Sequence, residues 1–118
     1  MNISIQSVKG YQILMVDNTP QSVYPSPQGG YWKHMIPDMP NFSPKTALVL
    51  GVGGGTTCRM LLEKFSDIKI VGVDNNKEIL EEARKYLKLS ELKIELIIDD
   101  AFTFPSRGHK TARRTCQR

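Results

Sequence analysis

A chain of 118 residues, 40% hydrophobic and 24% charged, has room for one domain with one core and the composition of a soluble globular protein. Its apolar runs are all much shorter than the roughly 20 residues that a membrane-spanning helix needs, and no basic leader precedes an apolar stretch. A cytoplasmic protein without a membrane partner is therefore predicted. Its two cysteines, Cys58 and Cys116, lie far apart and lack metal-ligand spacing, which argues against a disulfide framework and a metal site.

The net charge of +4 belongs to the C-terminal segment. Residues 106–118 hold five of the 16 basic residues and no acid, which leaves 11 bases and 12 acids, a net of −1, in the rest of the chain. The segment has no interleaved aromatic residues and no periodicity. A basic, disordered tail is therefore a better interpretation than a nucleic-acid surface.

The first 45 residues show two patterns. Residues 3–16 alternate apolar and polar side chains around Lys9-Gly10, which predicts a β-hairpin. Prolines and glycines then recur through residue 44, and their spacing argues against a regular helix or a central strand. We therefore predict an N-terminal unit, residues 1–45, that consists of one hairpin and a long loop.

Residues 46–105 alternate strand and helix patterns. Short apolar runs at 47–50, 68–73 and 94–98 each predict a strand buried in a parallel sheet. Apolar residues at helical spacing predict a helix after each of the first two strands, with Cys58, Leu61, Leu62 and Phe65 on the first and Ile79, Ala83, Tyr86 and Leu87 on the second. This β-α-β-α-β order with right-handed crossovers predicts an α/β fold with a Rossmann-like, doubly wound parallel sheet that is incomplete.

Capping residues mark where the two helices begin. Thr56 or Thr57 is placed to cap the first helix. Asn75, followed by Glu78 three residues later, resembles a capping box at the start of the second.

The segment Gly51-Val52-Gly53-Gly54-Gly55 lies between the first predicted strand and the first predicted helix. The turn there must be tight and the backbone must come close to a ligand, and glycine permits both. In open α/β sheets, ligands bind outside the carboxyl ends of the strands. We therefore predict that this glycine turn forms one side of a ligand site.

Asp74 ends the second predicted strand, 23 residues after Gly51. An acid at this place can accept hydrogen bonds from both hydroxyls of a ribose, so a small-molecule nucleotide ligand is predicted; the alternative is an acid that caps the next helix. Thr56 stands where the dinucleotide fingerprint G-x-G-x-x-G/A needs a small residue, which disfavours NAD. No Gly-Lys-Ser/Thr follows the glycines, which argues against ATP hydrolysis.

These motifs resemble those of one known family. Residues 48–56, Leu-Val-Leu-Gly-Val-Gly-Gly-Gly-Thr, are similar to the nucleotide-binding turn of spermidine synthases and spermidine-synthase-like methyltransferases, and residues 71–74, Val-Gly-Val-Asp, resemble their ribose-binding strand end. The resemblance covers residues 3–104 and implies a transferase whose cofactor is S-adenosylmethionine or its decarboxylated form. It implies cofactor contacts at Gly51, Gly53, Gly54, Gly55, Asp74 and Asn75.

Two further segments carry the resemblance. Residues 99–102, Asp-Asp-Ala-Phe, resemble the family's Gly-Asp-Ala-Phe segment, which implies that Asp100 contacts the adenine amino group and that Ala101 lines the cofactor site. Residues 17–21, Asp-Asn-Thr-Pro-Gln, are similar to the family's Leu-Asp-Gly-x-x-Gln hairpin end. This implies a cofactor contact for Gln21 and a substrate-side position for Tyr31, which follows at the family's usual distance.

The sequence also departs from this family. Gly54 stands where aminopropyltransferases have an aspartate that holds the amine of decarboxylated S-adenosylmethionine, so methyl transfer is favoured over aminopropyl transfer in polyamine (spermidine) biosynthesis. The family's catalytic aspartates follow a fourth strand that this sequence does not show. No catalytic residue is therefore assigned, enzymatic activity stays open, and we expect a truncated or frameshifted product or a fragment.

The missing fourth strand also affects the predicted sheet. It normally covers the edge of the first strand, so residues 47–50 would form a buried-type strand left at an edge. This predicts a homo-oligomer or a partner chain at that edge. A third hypothesis is therefore a non-catalytic fragment that acts through association with another chain.

Overall fold

Three antiparallel strands form an N-terminal sheet in the computed structural model, which describes residues 1–27 and 43–100 and the backbone of 113–115. The strands are β1 (Ile3–Val8), β2 (Tyr11–Val16) and β3 (Thr19–Tyr24), in the order β1-β2-β3. Lys9-Gly10 and Asp17-Asn18 form the two turns, and all four residues have the positive φ that a type I′ hairpin turn requires. The predicted hairpin is confirmed.

Strand β3 corrects the prediction that a loop follows the hairpin directly. Pro20 lies near its start, and the β2–β3 register shifts between Leu14 and Met15. Edge strands and bulges tolerate proline because they can do without the missing N–H group, and β3 is both an edge strand and bulged. Residues 28–42 lie outside the described part of the chain.

The second sheet has the predicted parallel arrangement. β4 (Thr46–Leu50), β5 (Lys69–Asp74) and β6 (Ile94–Ile98) pair in parallel in that order. A short strand, β7 (Arg113–Thr115), pairs antiparallel with β6. The expectation of a tail without regular structure does not hold for these three residues, and the rest of the tail lies outside the described residues.

Helix α2 (Lys77–Tyr86) begins one residue later than its predicted cap implied. Its N-cap is Asn76, whose side chain accepts a hydrogen bond from the Ile79 N–H group at 3.1 Å. Tyr86 is 48% exposed, whereas Leu80, outside the predicted stripe, is only 1% exposed. The buried face of α2 is therefore rotated slightly from the predicted one.

Both helices pack against one face of the parallel sheet. Residues from helix α1 (Thr56–Lys64), from α2 and from alternate positions of β4, β5 and β6 belong to one core cluster, which includes Cys58, Leu80, Val49, Ile70 and Leu96. On the opposite face of β4, Leu48 and Leu50 are 49% and 46% exposed. The prediction that this strand is buried on both faces is therefore wrong, and β4 lies at the edge of the described sheet as expected. No described helix is long and apolar enough to cross a membrane.

Arg59 on α1 connects the N-terminal sheet to the end of α2. Its guanidinium group donates to the carbonyl oxygens of Leu87 and Lys88 at 2.9 and 3.2 Å, and it lies over the ring of Tyr24 with 4.4 Å to the centroid. A cation is favourable at the C-terminal end of a helix, where carbonyl groups lack helical partners. Burial lowers the pKa of Arg59, because the charged group loses water.

Candidate functional site

The glycine turn joins the carboxyl end of β4 to the start of α1. Gly51, Gly53 and Gly55 have φ values of +89°, +56° and +90°, a region that residues with a Cβ rarely adopt. The turn is also closed from within, because the Gly55 N–H group donates to the Val52 carbonyl at 3.0 Å. Backbone conformation alone therefore requires glycine at three of its positions.

Asp74 ends β5 directly beside this turn. Its Oδ2 atom accepts a hydrogen bond from the Gly53 N–H group at 2.8 Å, and its Oδ1 atom accepts one from the Asn76 N–H group at 2.9 Å. The side chain is half-buried. These two hydrogen bonds hold the carboxylate in place. Because each carboxylate oxygen can accept more than one hydrogen bond, both oxygens can still accept from hydroxyl groups of a ligand.

The N-terminal sheet is docked onto the glycine turn through β3. Ser22, which is 3% exposed, accepts a hydrogen bond from the Gly54 N–H group at its Oγ atom, at 2.8 Å. Thr56 Oγ1 accepts from the Val23 N–H group at 2.8 Å and donates to the Val23 carbonyl at 3.1 Å. The two sheets therefore meet at the candidate site.

These two contacts were not predicted. The N-cap of α1 is Gly55, which has no side chain to cap with, and Thr56 bonds to β3 instead of capping the helix. The one sequence signal for Thr56 was its departure from the dinucleotide fingerprint at that position. Nothing local marks Ser22, because its partner Gly54 is 32 residues away.

Gln21 lies over the glycine turn. A Cβ atom built on Gly53 would overlap the side-chain amide of Gln21, with Cδ at 2.9 Å. The Gln21 amide therefore occupies the space beside Gly53 that a side chain would need. The proximity is established, whereas a cofactor contact by Gln21 stays a prediction.

Three glycine N–H groups of the turn are used within the protein. Gly53 donates to Asp74, Gly54 to Ser22 and Gly55 to Val52. A glycine-rich turn that cradles phosphate needs these N–H groups directed at the ligand. These three N–H groups are therefore already bonded within the protein and are not free to hold a phosphate.

The other predicted contacts lie at the same end of the sheet or outside the described residues. The Asp99 N–H group donates to the Asp74 carbonyl at 3.1 Å, and Asp99 Oδ1 accepts from the Asp100 N–H group at 2.8 Å, so Asp100 follows β6 next to the end of β5. Asn75 is exposed, beside Asp74. Tyr31 and Ala101 lie outside the described part of the chain. Among the described residues, no group of three His, Cys, Asp or Glu side chains could hold a metal ion.

Comparison with known proteins gives one match. A family model described as a methyltransferase domain matches residues 47–116, which is 70 of the 118 residues. The match begins in β4 and includes the glycine turn, Asp74 and Asp100. It continues past residue 104, where the resemblance was expected to end. No curated protein and no solved structure matches the chain.

Proposed function

Because the chain belongs to the methyltransferase-domain family, whose members typically bind S-adenosylmethionine, we propose that its glycine turn and Asp74 hold the nucleoside part of that cofactor. When bound, the cofactor supplies an electrophilic methyl group on a sulfonium. The residues of this chain contribute binding and orientation, which are the main needs of a transfer to a positioned nucleophile.

The observation that carries the proposal is the position of the Asp74 carboxylate. Hydrogen bonds from Gly53 and Asn76 hold both of its oxygens at the carboxyl end of β5, beside the turn. A ribose presents two neighbouring hydroxyl groups, and two fixed carboxylate oxygens match that pair. Asp100, next to the same strand end, is proposed to accept a hydrogen bond from the adenine amino group.

The hydrogen bonding of the turn supports this ligand over a dinucleotide. The N–H groups of Gly53, Gly54 and Gly55 all have acceptors inside the protein. A pyrophosphate at the turn would have to break these bonds, whereas S-adenosylmethionine has no phosphate.

The surroundings of Gly54 support methyl transfer over aminopropyl transfer. A Cβ atom on Gly54 would overlap the Ser22 Cβ atom and lie 2.8 Å from Leu87 Cδ2. The space that an aspartate would need at this position is therefore filled by the N-terminal sheet. A spermidine-synthase-like subfamily remains part of the proposal, supported by the location of Gln21 at the turn.

A second candidate function is association with another copy of this chain through β4. Leu48 and Leu50 are exposed, and β4 pairs with β5 only, within the described sheet. Unpaired backbone groups on an apolar edge strand favour pairing with another strand. This candidate is compatible with an inactive chain.

Calorimetric titration of the chain with S-adenosylmethionine and with its thioether product, S-adenosylhomocysteine, tests the main proposal. We expect both to bind and Asp74→Ala to abolish binding, whereas Asp67→Ala, at an exposed acid between α1 and β5, should leave it unchanged. Failure of the folded wild-type chain to bind either ligand would contradict the proposal. Equal effects of the two substitutions would contradict the role of Asp74.

A further inference from the structure

We infer that Thr56 is a positioning residue whose hydroxyl group holds β3 against the glycine turn and so keeps Asp74 oriented for the nucleoside; this inference rests on the proposed function. Thr56 is the first residue of α1 and is only 3% exposed. Its Oγ1 atom accepts a hydrogen bond from the Val23 N–H group at 2.8 Å and donates one to the Val23 carbonyl at 3.1 Å. One side chain thus bonds both backbone groups of a residue on β3.

The position of β3 explains why one hydroxyl group can make both bonds. In an antiparallel strand, the N–H and C=O groups of a residue point to the same side. Val23 pairs with Ile13 on β2, and β3 is the edge strand of the described N-terminal sheet. The Val23 groups that bond Thr56 therefore point away from β2, to the side where the described sheet has no further strand. The hydroxyl group takes the place of a neighbouring strand there.

The glycine turn is tied to both sheets. The Gly53 N–H group donates to Asp74 on β5, whereas the next N–H group, that of Gly54, donates to Ser22 on β3. Two residues later, Thr56 adds its two bonds to β3. Strand β3 therefore holds the same short segment that orients the Asp74 carboxylate.

This segment needs to be held because of its composition. Glycine loses more conformational freedom on ordering than any other residue, and Gly51, Gly53 and Gly55 all have positive φ values in the turn. When β3 is not docked, the turn regains that freedom and the Gly53 N–H group is no longer held towards Asp74. A ligand must then order the turn as it binds, which lowers its affinity. Thr56 keeps β3 docked and the turn ordered before the ligand arrives.

Docking of β3 and ligand binding are then linked in both directions. If docking raises the affinity for the nucleoside, the bound nucleoside favours docking by the same factor. The ligand should therefore slow hydrogen exchange at the Val23 amide, although Val23 is not a proposed ligand contact. A ligand that only stabilised the whole fold would slow exchange equally at the Lys69 amide, which bonds the Lys45 carbonyl at the opposite end of the parallel sheet.

Calorimetric titration with S-adenosylhomocysteine tests the role of the hydroxyl group. Thr56→Val removes the hydroxyl but nearly keeps the shape, and we expect the affinity to fall by about threefold to thirtyfold. Thr56→Ser keeps the hydroxyl group and should bind within about twofold of wild type. The control is Ile68→Ala, which leaves a cavity in the core next to the start of β5, at the end remote from Asp74. It lowers stability without a change at the turn and should leave the affinity unchanged.

Hydrogen exchange of the wild-type chain gives a second measurement that does not depend on a variant being folded. We expect saturating S-adenosylhomocysteine to raise the protection of the Val23 amide by at least about threefold more than that of the Lys69 amide. Equal protection of the two amides would overturn the inference, as would wild-type affinity in Thr56→Val.

Two further outcomes separate this inference from its premises. An equal loss of affinity in Ile68→Ala and Thr56→Val would overturn it, because lower stability alone would then explain the effect. If the wild-type chain binds no S-adenosylhomocysteine, the proposed function itself fails and this inference fails with it. If the wild type binds and loss of the Thr56 hydroxyl changes nothing, the proposed function stands and this inference alone fails.

Discussion

The Oδ2 atom of Asp74 accepts a hydrogen bond from the N–H group of Gly53 at 2.8 Å, although 21 residues separate them in the chain. They meet because β4 and β5 are neighbouring parallel strands whose carboxyl ends lie at the same edge of the sheet. The bond makes Asp74 part of the structure of the turn as well as its proposed ribose ligand. Changes at Asp74 should therefore affect stability and binding together.

The substitution Asp74→Asn tests the structural role. The amide keeps one oxygen for one of the two N–H groups, but its nitrogen faces the other, so one hydrogen bond to a charged group is replaced by an unfavourable contact. We expect the free energy of unfolding to fall by about 1.5–3 kcal/mol. Urea denaturation measures this free energy, and Asp67→Asn, at an exposed residue, is the control. A loss no larger than that of the control would contradict the structural role of Asp74.

Gly54 and Gly10 should respond differently to alanine. Gly10 has a φ of +87° but open space where a Cβ atom would lie, so Gly10→Ala should cost about 1 kcal/mol for backbone strain. Gly54 lacks a positive φ, but its Cβ atom would overlap Ser22 and contact Leu87, so Gly54→Ala should cost about 1–3 kcal/mol or more. Thermal unfolding of the two variants and the wild type measures both losses of stability. A smaller loss at Gly54 would show that β3 is not docked as described.

Thr56 should tolerate serine but not valine. Thr56→Val has nearly the same shape but removes the hydroxyl that bonds both backbone groups of Val23, leaving a buried N–H and a buried carbonyl. We expect a loss of about 1–3 kcal/mol for each buried group left unsatisfied, whereas Thr56→Ser should retain most of the stability. Equilibrium denaturation of the two variants distinguishes the outcomes. Equal stability of the valine variant and the wild type would argue against these hydrogen bonds.

The edge strand β4 gives a prediction about association. If copies of the chain pair through this edge, sedimentation velocity should show concentration-dependent self-association of the wild-type chain. Leu48→Lys or Leu50→Lys should reduce it, because a charge on an edge strand opposes pairing. Val8→Lys, at an exposed apolar residue on β1, is the matched control and should have no effect. A monomer at all concentrations would exclude this mode of association.

Local sequence patterns predicted much of the parallel sheet because strands and helices leave periodic signals. The apolar runs 47–50 and 94–98 match β4 and β6, and the glycine turn lies where a strand-to-helix connection requires positive φ. The position of Asp74 beside the turn also followed from the order of strands alone. The prediction of Asn75 as the N-cap of α2, where the structure has Asn76, is a small error that reflects the weak boundary signals of helices.

The sequence by itself therefore determined the β-α-β-α-β order, the glycine turn and the acid at the end of β5. Only the tertiary structure decided how β3 docks on that turn, with Ser22 bonded to Gly54, Thr56 bonded to Val23 and Gln21 placed over Gly53. The physical reason is the range of the interactions. Periodicity and turn chemistry act between near neighbours, whereas these hydrogen bonds join residues more than 30 apart and form only once a bulged edge strand and the turn have been packed together.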